Sequence, residues 1–208
     1  MPDLEIIGAP VSNYVRSCRM LCNEKGVEHT LTPARPHSPE VAAIHPYGLI
    51  PVMRHGDLAL FESKAIMSYV DAAFPGPKMM PESLAEMALV EQWVAFQNHR
   101  VDRSMVRECV VQYVFADKAK GPDRARIEAA VPDIEKQAKV LDAAIARTGH
   151  LVGKSITMAD INVLPMLHYV RMFPEGKAAL AGLPRLTEYI DRLSARPSFT
   201  ATEPPRAS

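Results

Sequence analysis

The stretch from His45 to Val70 constrains the fold of this chain more than any other. Pro51 stands where an apolar run begins, and because proline gives a β-ladder no N–H, it belongs at the first residue or the edge of a strand. Gly56-Asp57 then predicts a tight turn and Leu58 to Phe61 a returning strand. A helix follows, with one apolar face formed by Ala65, Ile66, Tyr69 and Val70. A strand that runs straight into a helix N-terminus directs unpaired N–H groups and a positive dipole end at one spot, which suits an anion.

These residues also resemble the glutathione-binding half of cytosolic glutathione transferases, through Pro46-Tyr47-Gly48, Ile50-Pro51-Val52, Gly56-Asp57-Leu58 and Phe61-Glu62-Ser63 with Ala65-Ile66. The resemblance implies that the bond before Pro51 is cis and that Ile50 offers its backbone to the cysteinyl part of glutathione. It further implies that Glu62 meets the γ-glutamyl ammonium, while Ser63, at a helix start, meets the carboxylate. Leu49 of this expected site replaces the usual Gln or Lys, so one side-chain contact to glutathione is missing.

The order of predicted elements divides the chain into two domains. Residues 1–76 give strand, helix, strand, helix, strand, strand and helix, a βαβ unit followed by a ββα unit, which is the thioredoxin-like α/β arrangement. Residues 77–83 are a proline-containing linker, and 84–208 predict an all-helical domain with long helices over 84–115 and 124–147. Thr157 and Asp160 have capping-box spacing before another helix, so we expect Asp160 to be structural rather than catalytic.

Ser12 is the candidate catalytic residue. Lowering the pKa of a free thiol, about 8.5, below 7 requires roughly 2.7 kcal/mol of selective stabilisation of the thiolate. One hydroxyl donor supplies about 1.5–3 kcal/mol and a helix N-terminus about 0.3–1 kcal/mol more. The segment Gly8 to Ser12 with Arg16 resembles the first βα segment of bacterial, serine-type transferases with a phi-like N-terminal domain, which places the activating serine at Ser12. Asn13 is the alternative donor within the glutathione site.

Other site residues are carried over from the same resemblance. His37 lies near the position of a basic residue that meets the glycine carboxylate of glutathione, and the alternative is an ordinary surface-loop histidine. A second, apolar substrate is expected beside Val11 and the long helix around Met105, Val106 and Tyr113. A wall containing methionine adapts to several shapes, although the same side chains also suit a helical core.

Composition excludes several classes of function. Lys+Arg and Asp+Glu both number 24, and this formal net charge of +0 argues against nucleic acid or an anionic membrane as a partner. The three cysteines form no CxxC or zinc pattern, the seven histidines show no ligand spacing, and we therefore expect no metal. Without a recognisable secretory signal or transmembrane run, a cytoplasmic location is expected.

The resulting hypothesis is a glutathione transferase that adds the thiolate of its co-substrate glutathione to an apolar electrophile, with no prosthetic group. The resemblance also implies a homodimer and a role in detoxification. Two alternatives stay open. The same site suits a glutathione-dependent isomerase, peroxidase or dehalogenase, and the fold also serves non-catalytic binding proteins.

Overall fold

The computed structural model describes residues 3–204, which form two compact units. Within that range, the first unit contains residues 3–81 and 195–204, and the second contains Glu82–Ser194. Within residues 3–204, no helix combines the length and apolar character needed to cross a membrane.

The first unit is built on a four-stranded mixed sheet. Its strands are β1 (Leu4–Ile7), β2 (Thr30–Thr32), β3 (Val52–His55) and β4 (Leu58–Phe61), in the spatial order β2-β1-β3-β4. β1 pairs in parallel with β2 and antiparallel with β3, which pairs antiparallel with β4. Helices α1 (Asn13–Lys25), α2 (Pro39–Ala42) and α3 (Ser63–Ala73) connect or follow these strands. This is the predicted thioredoxin-like order, and the prediction is confirmed.

The sheet and its helices are held together by side chains from the apolar positions of each element. Ile6 and Met53 lie on neighbouring strands in direct register, and both are fully buried. On the helices, Val15, Leu21 and Ile66 are also fully buried, as the helical periodicity predicts. The core therefore fixes the starts of α1 and α3 relative to the sheet.

Val27, His29 and Leu31 share one face of an extended segment and predict a strand over residues 27–31, but β2 begins only at Thr30 because the end of α1 uses the backbone before it. Gly26 adopts a left-handed conformation with φ of 67° and donates its N–H to Asn23. The N–H of Val27 then donates to the carbonyl of Cys22 at 2.8 Å. This pattern closes the helix C-terminus and takes Val27 out of the ladder.

The second unit is all-helical, with α4 (Leu84–Phe96), a π-helix (Gln97–Val110), α5 (Val111–Val114), α6 (Arg124–Ile145), α7 (Met158–Val170), α8 (Pro174–Leu180) and α9 (Pro184–Ser194). The helix expected over 84–115 is thus interrupted by fourteen residues of wider winding. Pro132 lies inside α6 without delaying its start, which Asp123 caps by accepting from Arg126 N–H at 3.1 Å.

Asp160 is the structural centre of the second unit, as expected. Its carboxylate is fully buried and accepts hydrogen bonds from the N–H and hydroxyl of Thr157, the N–H of Leu151 and the hydroxyl of Tyr189, at 2.8–3.0 Å. The predicted capping box is present at the start of α7. Since all four hydrogen bonds join Asp160 to backbone or buried groups, Asp160 stabilises the fold.

The helical domain expected over residues 84–208 ends earlier, because the second unit stops at Ser194. A last helix, α10 (Pro197–Thr200), packs on α1 and belongs to the first unit. Glu24 on α1 accepts from Nε of Arg196 at 2.6 Å and from the hydroxyl of Ser198. The buried Phe199 ring lies 4.2 Å below the guanidinium of Arg16. These contacts join residues distant in sequence, which local patterns do not reveal.

Candidate glutathione site

The first part of the candidate site is the loop between β1 and α1. Ser12 caps α1, with its N–H donating to Ala9 and its Oγ accepting from the N–H of Val15 at 3.5 Å. That bond is at the outer limit of hydrogen-bond geometry. Within residues 3–204, the hydroxyl proton of Ser12 has no acceptor. The hydroxyl therefore lies at a positive helix end with a proton to donate.

Asn13 supplies a second donor beside it. Its side chain is only 7% exposed, and Nδ2 has no hydrogen-bond partner within the described part of the chain. A buried donor without a partner costs about 1–3 kcal/mol, so an acceptor from a ligand would remove that cost. The start of α1 thus carries two unused donors on adjacent residues.

The second part is the segment that enters β3. The Ile50–Pro51 peptide is cis, as the resemblance implies. Among residues 3–204, neither the N–H nor the C=O of Ile50 has a backbone partner, and the ladder with β1 begins only at Val52. A Cβ built on Gly8 would lie 3.2 Å from Cβ of Ile50 and 2.6 Å from Cγ2 of Val15. Because only glycine allows this approach, the Ile50 segment lies directly beside the loop that leads to Ser12.

The third part is the start of α3. Ser63 is its first residue, and within residues 3–204 its hydroxyl has no partner. Glu62, which precedes it, has φ of 69° and a side chain 68% exposed. A left-handed backbone is uncommon for a residue with a side chain and fixes the direction in which Glu62 leaves the helix. An exposed carboxylate thus stands beside a helix N-terminus that favours anions.

A hydrogen bond links the start of α3 to α1, six residues beyond Ser12. The thiol of Cys18 donates to the carbonyl of Ser63 at 3.7 Å, which fixes where α3 begins against α1. Cys18 lies roughly 9 Å along α1 from Ser12, at 1.5 Å rise per residue. Unused donors therefore stand at the starts of both helices, with the free backbone of Ile50 as a third element.

Comparisons with known proteins agree with this geometry. Residues 6–78 match the family description "Glutathione S-transferase, N-terminal domain" and residues 105–197 match "Glutathione S-transferase, C-terminal domain". Glutathione S-transferase 3 of Zea mays is 30% identical over 212 residues, which cover 97% of this chain and 94% of the relative. The chain belongs to the glutathione S-transferase family.

Solved structures give the same family for both units. Glutathione transferase F7 from Populus trichocarpa superposes with a TM-score of 0.87 at 28% identity, covering 96% of this chain and 97% of that one. A glutathione S-transferase from Methylobacillus flagellatus, solved with glutathione bound, has a TM-score of 0.82 at 25% identity and covers 97% of this chain and 100% of its own. Another curated relative, glutathione S-transferase 4 of Zea mays, is 28% identical over 203 residues, which cover 95% of this chain and 90% of the relative.

The loop residues predicted to complete the glutathione site are exposed. His37 has φ of 65°, and its N–H donates to the carbonyl of Gly48 at 2.7 Å. A Cβ on Gly48 would lie 2.5 Å from Nδ1 of His37, so the imidazole packs closely against the Gly48 backbone. Leu49 follows and is 46% exposed. These contacts place His37 next to the segment that leads to Ile50, and its contact with glutathione stays a prediction.

The four residues expected around the electrophile have different environments. Val11 is 52% exposed, whereas Met105 and Val106 are buried. Burial favours the alternative interpretation of Met105 and Val106 as core side chains. Tyr113 is half-buried, and its ring stacks on Phe173 with centroids 4.4 Å apart. Val11 and Tyr113 thus remain the accessible candidates.

Polar neighbours hold Tyr113 in the protonated form. Its hydroxyl donates to Glu175 at 2.9 Å and accepts from Arg124 at 2.6 Å. Partial burial and the Glu175 carboxylate raise the pKa of Tyr113. The hydroxyl therefore remains a neutral hydrogen-bonding group near neutral pH.

The environment of the cysteines in this transferase disfavours the thiolate form. All three are buried and free. Burial raises the pKa of Cys22 to about 12, and burial together with Glu175 raises that of Cys109 to about 11. The pKa of Cys18 is raised well above its ordinary value by burial and by Cys22. Because the thiolate is the reactive form, chemistry through a protein cysteine is disfavoured.

Sequence reasoning passed over His45, which begins the informative stretch. The imidazole is 4% exposed, and its Nε2 lies 3.8 Å from Oε1 of Glu62. The sequence shows only a histidine before Pro46, a pattern that occurs in many loops and does not indicate a functional role.

Proposed function

We propose that the protein is a glutathione transferase that adds the glutathione thiolate to an apolar electrophile. The observation that carries this proposal is the set of unused groups at the starts of α1 and α3 and at Ile50. Their number and character suit a short peptide that carries a thiol and, at one end, a carboxylate and an ammonium. Membership of the family supports the same ligand.

Each part of glutathione has a partner of matching chemistry in this proposal. The γ-glutamyl carboxylate accepts from the hydroxyl of Ser63 and from the N-terminal amides of α3, while the ammonium meets Glu62. The cysteinyl backbone pairs with the N–H and C=O of Ile50 as an added strand does. The thiol then lies at the start of α1, with His37 and Leu49 beside the glycine end.

Activation of the thiol follows from donation to its charged form. The hydroxyl of Ser12 has a proton without an acceptor, and a bond from it to a thiolate contributes about 1.5–3 kcal/mol. The positive end of α1 adds about 0.3–1 kcal/mol. Nδ2 of Asn13 is the second donor available for the same sulfur. The thiolate attacks the electrophilic carbon, the sulfur–carbon bond forms, and the leaving group departs with the bonding electrons.

The proposal also covers the electrophilic substrate and the oligomeric state. Val11 and Tyr113 offer accessible apolar surface for an electrophile. We also propose a homodimer, a cytoplasmic location and a role in detoxification, which the family membership supports.

Retention on immobilised glutathione, followed by conjugation of a chloro-nitroaromatic with glutathione, tests the proposal. Ser63→Ala should reduce retention, whereas Ser68→Ala, one turn further along α3, should not. Retention without conjugation would favour isomerase, peroxidase or dehalogenase chemistry, to be screened with maleylacetoacetate, hydroperoxides and haloalkanes. Loss of both in the intact chain would refute glutathione as the ligand and favour a binding protein without activity.

A further inference from the structure

The orientation of the His45 ring is fixed by its surroundings. Nδ1 accepts a hydrogen bond from the backbone N–H of Tyr47 at 3.0 Å. The ring packs on Phe61 with centroids 4.8 Å apart and meets the Tyr47 ring edge-on at 6.5 Å. Since Nδ1 is the acceptor, a neutral imidazole carries its proton on Nε2. The ring therefore presents one N–H donor in a defined direction.

The carboxylate of Glu62 lies near this N–H. Nε2 lies 3.8 Å from Oε1, which is longer than a hydrogen bond, and a rotation of the exposed Glu62 side chain would close the gap. Within residues 3–204, no other basic side chain forms an ion pair with Glu62. The backbone of Glu62 is itself fixed at φ of 69°. A donor held in place by its surroundings thus stands beside an exposed acceptor.

We propose that His45 is a positioning residue, which holds one oxygen of Glu62 so that the other faces the γ-glutamyl ammonium of glutathione. The inference rests on the proposed glutathione site and adds a residue to it. A neutral donor orients the carboxylate without cancelling its charge, so the attraction for the ammonium remains. Holding the side chain in advance also reduces the entropy lost when the ligand binds.

Two substitutions separate positioning from simple packing. In His45→Asn, the side-chain oxygen can accept from the N–H of Tyr47, but no donor reaches Glu62. In His45→Gln, the longer amide places its NH2 near the former Nε2. We expect His45→Asn to raise the Kd and KM for glutathione about three- to tenfold, because the lost contact is charge-assisted but partly solvated. The kcat should change less than about twofold, and His45→Gln should restore binding to within about twofold.

The decisive ligand is glutaryl-cysteinyl-glycine, which is glutathione without the amino group. Isothermal titration of both ligands should show that His45→Asn weakens only glutathione. Equal weakening of the two, or failure of His45→Gln to restore binding, would overturn the inference and leave a packing role. If the His45 variants fail to fold, Glu62→Gln provides the second measurement, and it should likewise weaken only glutathione.

The same titration separates this inference from the proposed function. An intact chain that binds neither ligand contradicts both. An intact chain that binds the two ligands equally retains a tripeptide site but contradicts a role for Glu62 and His45 in reading the ammonium.

Discussion

The replacement of Ser12 by alanine should raise the pKa of bound glutathione and leave the fold intact. The lost bond to the thiolate is worth about 1.5–3 kcal/mol, which corresponds to about one to two pKa units. For a wild-type thiol pKa of about 6.5, the thiolate fraction at pH 7, and turnover with it, should therefore fall roughly four- to fortyfold. The cap itself contributes little here, since the Ser12–Val15 bond is 3.5 Å long.

Two measurements check this expectation. The ultraviolet absorbance of the thiolate in the glutathione complex, titrated with pH, gives the pKa directly. The pH profile of kcat should shift upward by the same amount, and the two enzymes should converge at high pH, where the thiol ionises without help. Glutathione affinity should stay within a few-fold. Ser83→Ala is the matched control, because Ser83 caps α4 without a side-chain hydrogen bond.

An unchanged thiol pKa in Ser12→Ala would refute the reasoning. The remaining donor at the start of α1 would then be Nδ2 of Asn13, and Asn13→Ala would be expected to give the shift instead. If neither variant moves the pKa, the dipole and backbone amides of α1 alone would have to supply the stabilisation.

Three further predictions concern stability and reactivity. Asp160→Asn should lower the urea midpoint by the equivalent of about 2–4 kcal/mol of unfolding free energy, because the amide cannot accept hydrogen bonds from four donors. Trp93 fluorescence during urea unfolding measures the change, and a loss below about 0.5 kcal/mol would contradict the prediction. Burial alone would raise the pKa of Glu24, but Arg196 and Ser198 lower it overall. The contribution of Glu24 to the free energy of unfolding should therefore be present above its unfolded-state pKa and be lost as the pH falls through its lower, folded-state pKa. In Arg196→Ala, the melting temperature should fall less steeply over that pH range. The three buried cysteines should resist iodoacetamide near neutral pH until the chain unfolds, and rapid alkylation of the folded chain would contradict their raised pKa values.

Local signals explain what the sequence could predict. A proline before an apolar run, a Gly-Asp turn and a helix start lie within one short stretch around Pro51, and each restricts only neighbouring residues. The capping box of Thr157 and Asp160 is equally local. For this reason the thioredoxin-like order and the role of Asp160 were predictable without knowledge of distant contacts.

The remaining features depend on geometry that periodicity does not contain. The π-helix over Gln97–Val110 differs from an α-helix in its i→i+5 backbone hydrogen bonds, which the apolar pattern of the sequence does not signal, so the sequence predicted one continuous helix. The burial of Met105 depends on which face of that winding turns inward. His45 and Glu62 meet only because β3 and β4 fold back between them.

The return of α10 to α1 gives the helical unit the topology of an insertion. The first unit is discontinuous, and its last piece is translated only after the whole of Glu82–Ser194. A fragment cut at Pro81 would therefore lack the aromatic ring beneath Arg16 and the cation beside Glu24. Supplying residues 195–208 as a separate peptide should rescue such a fragment better than supplying the helical unit. A single chain in which the two pieces are joined directly should fold without the helical unit.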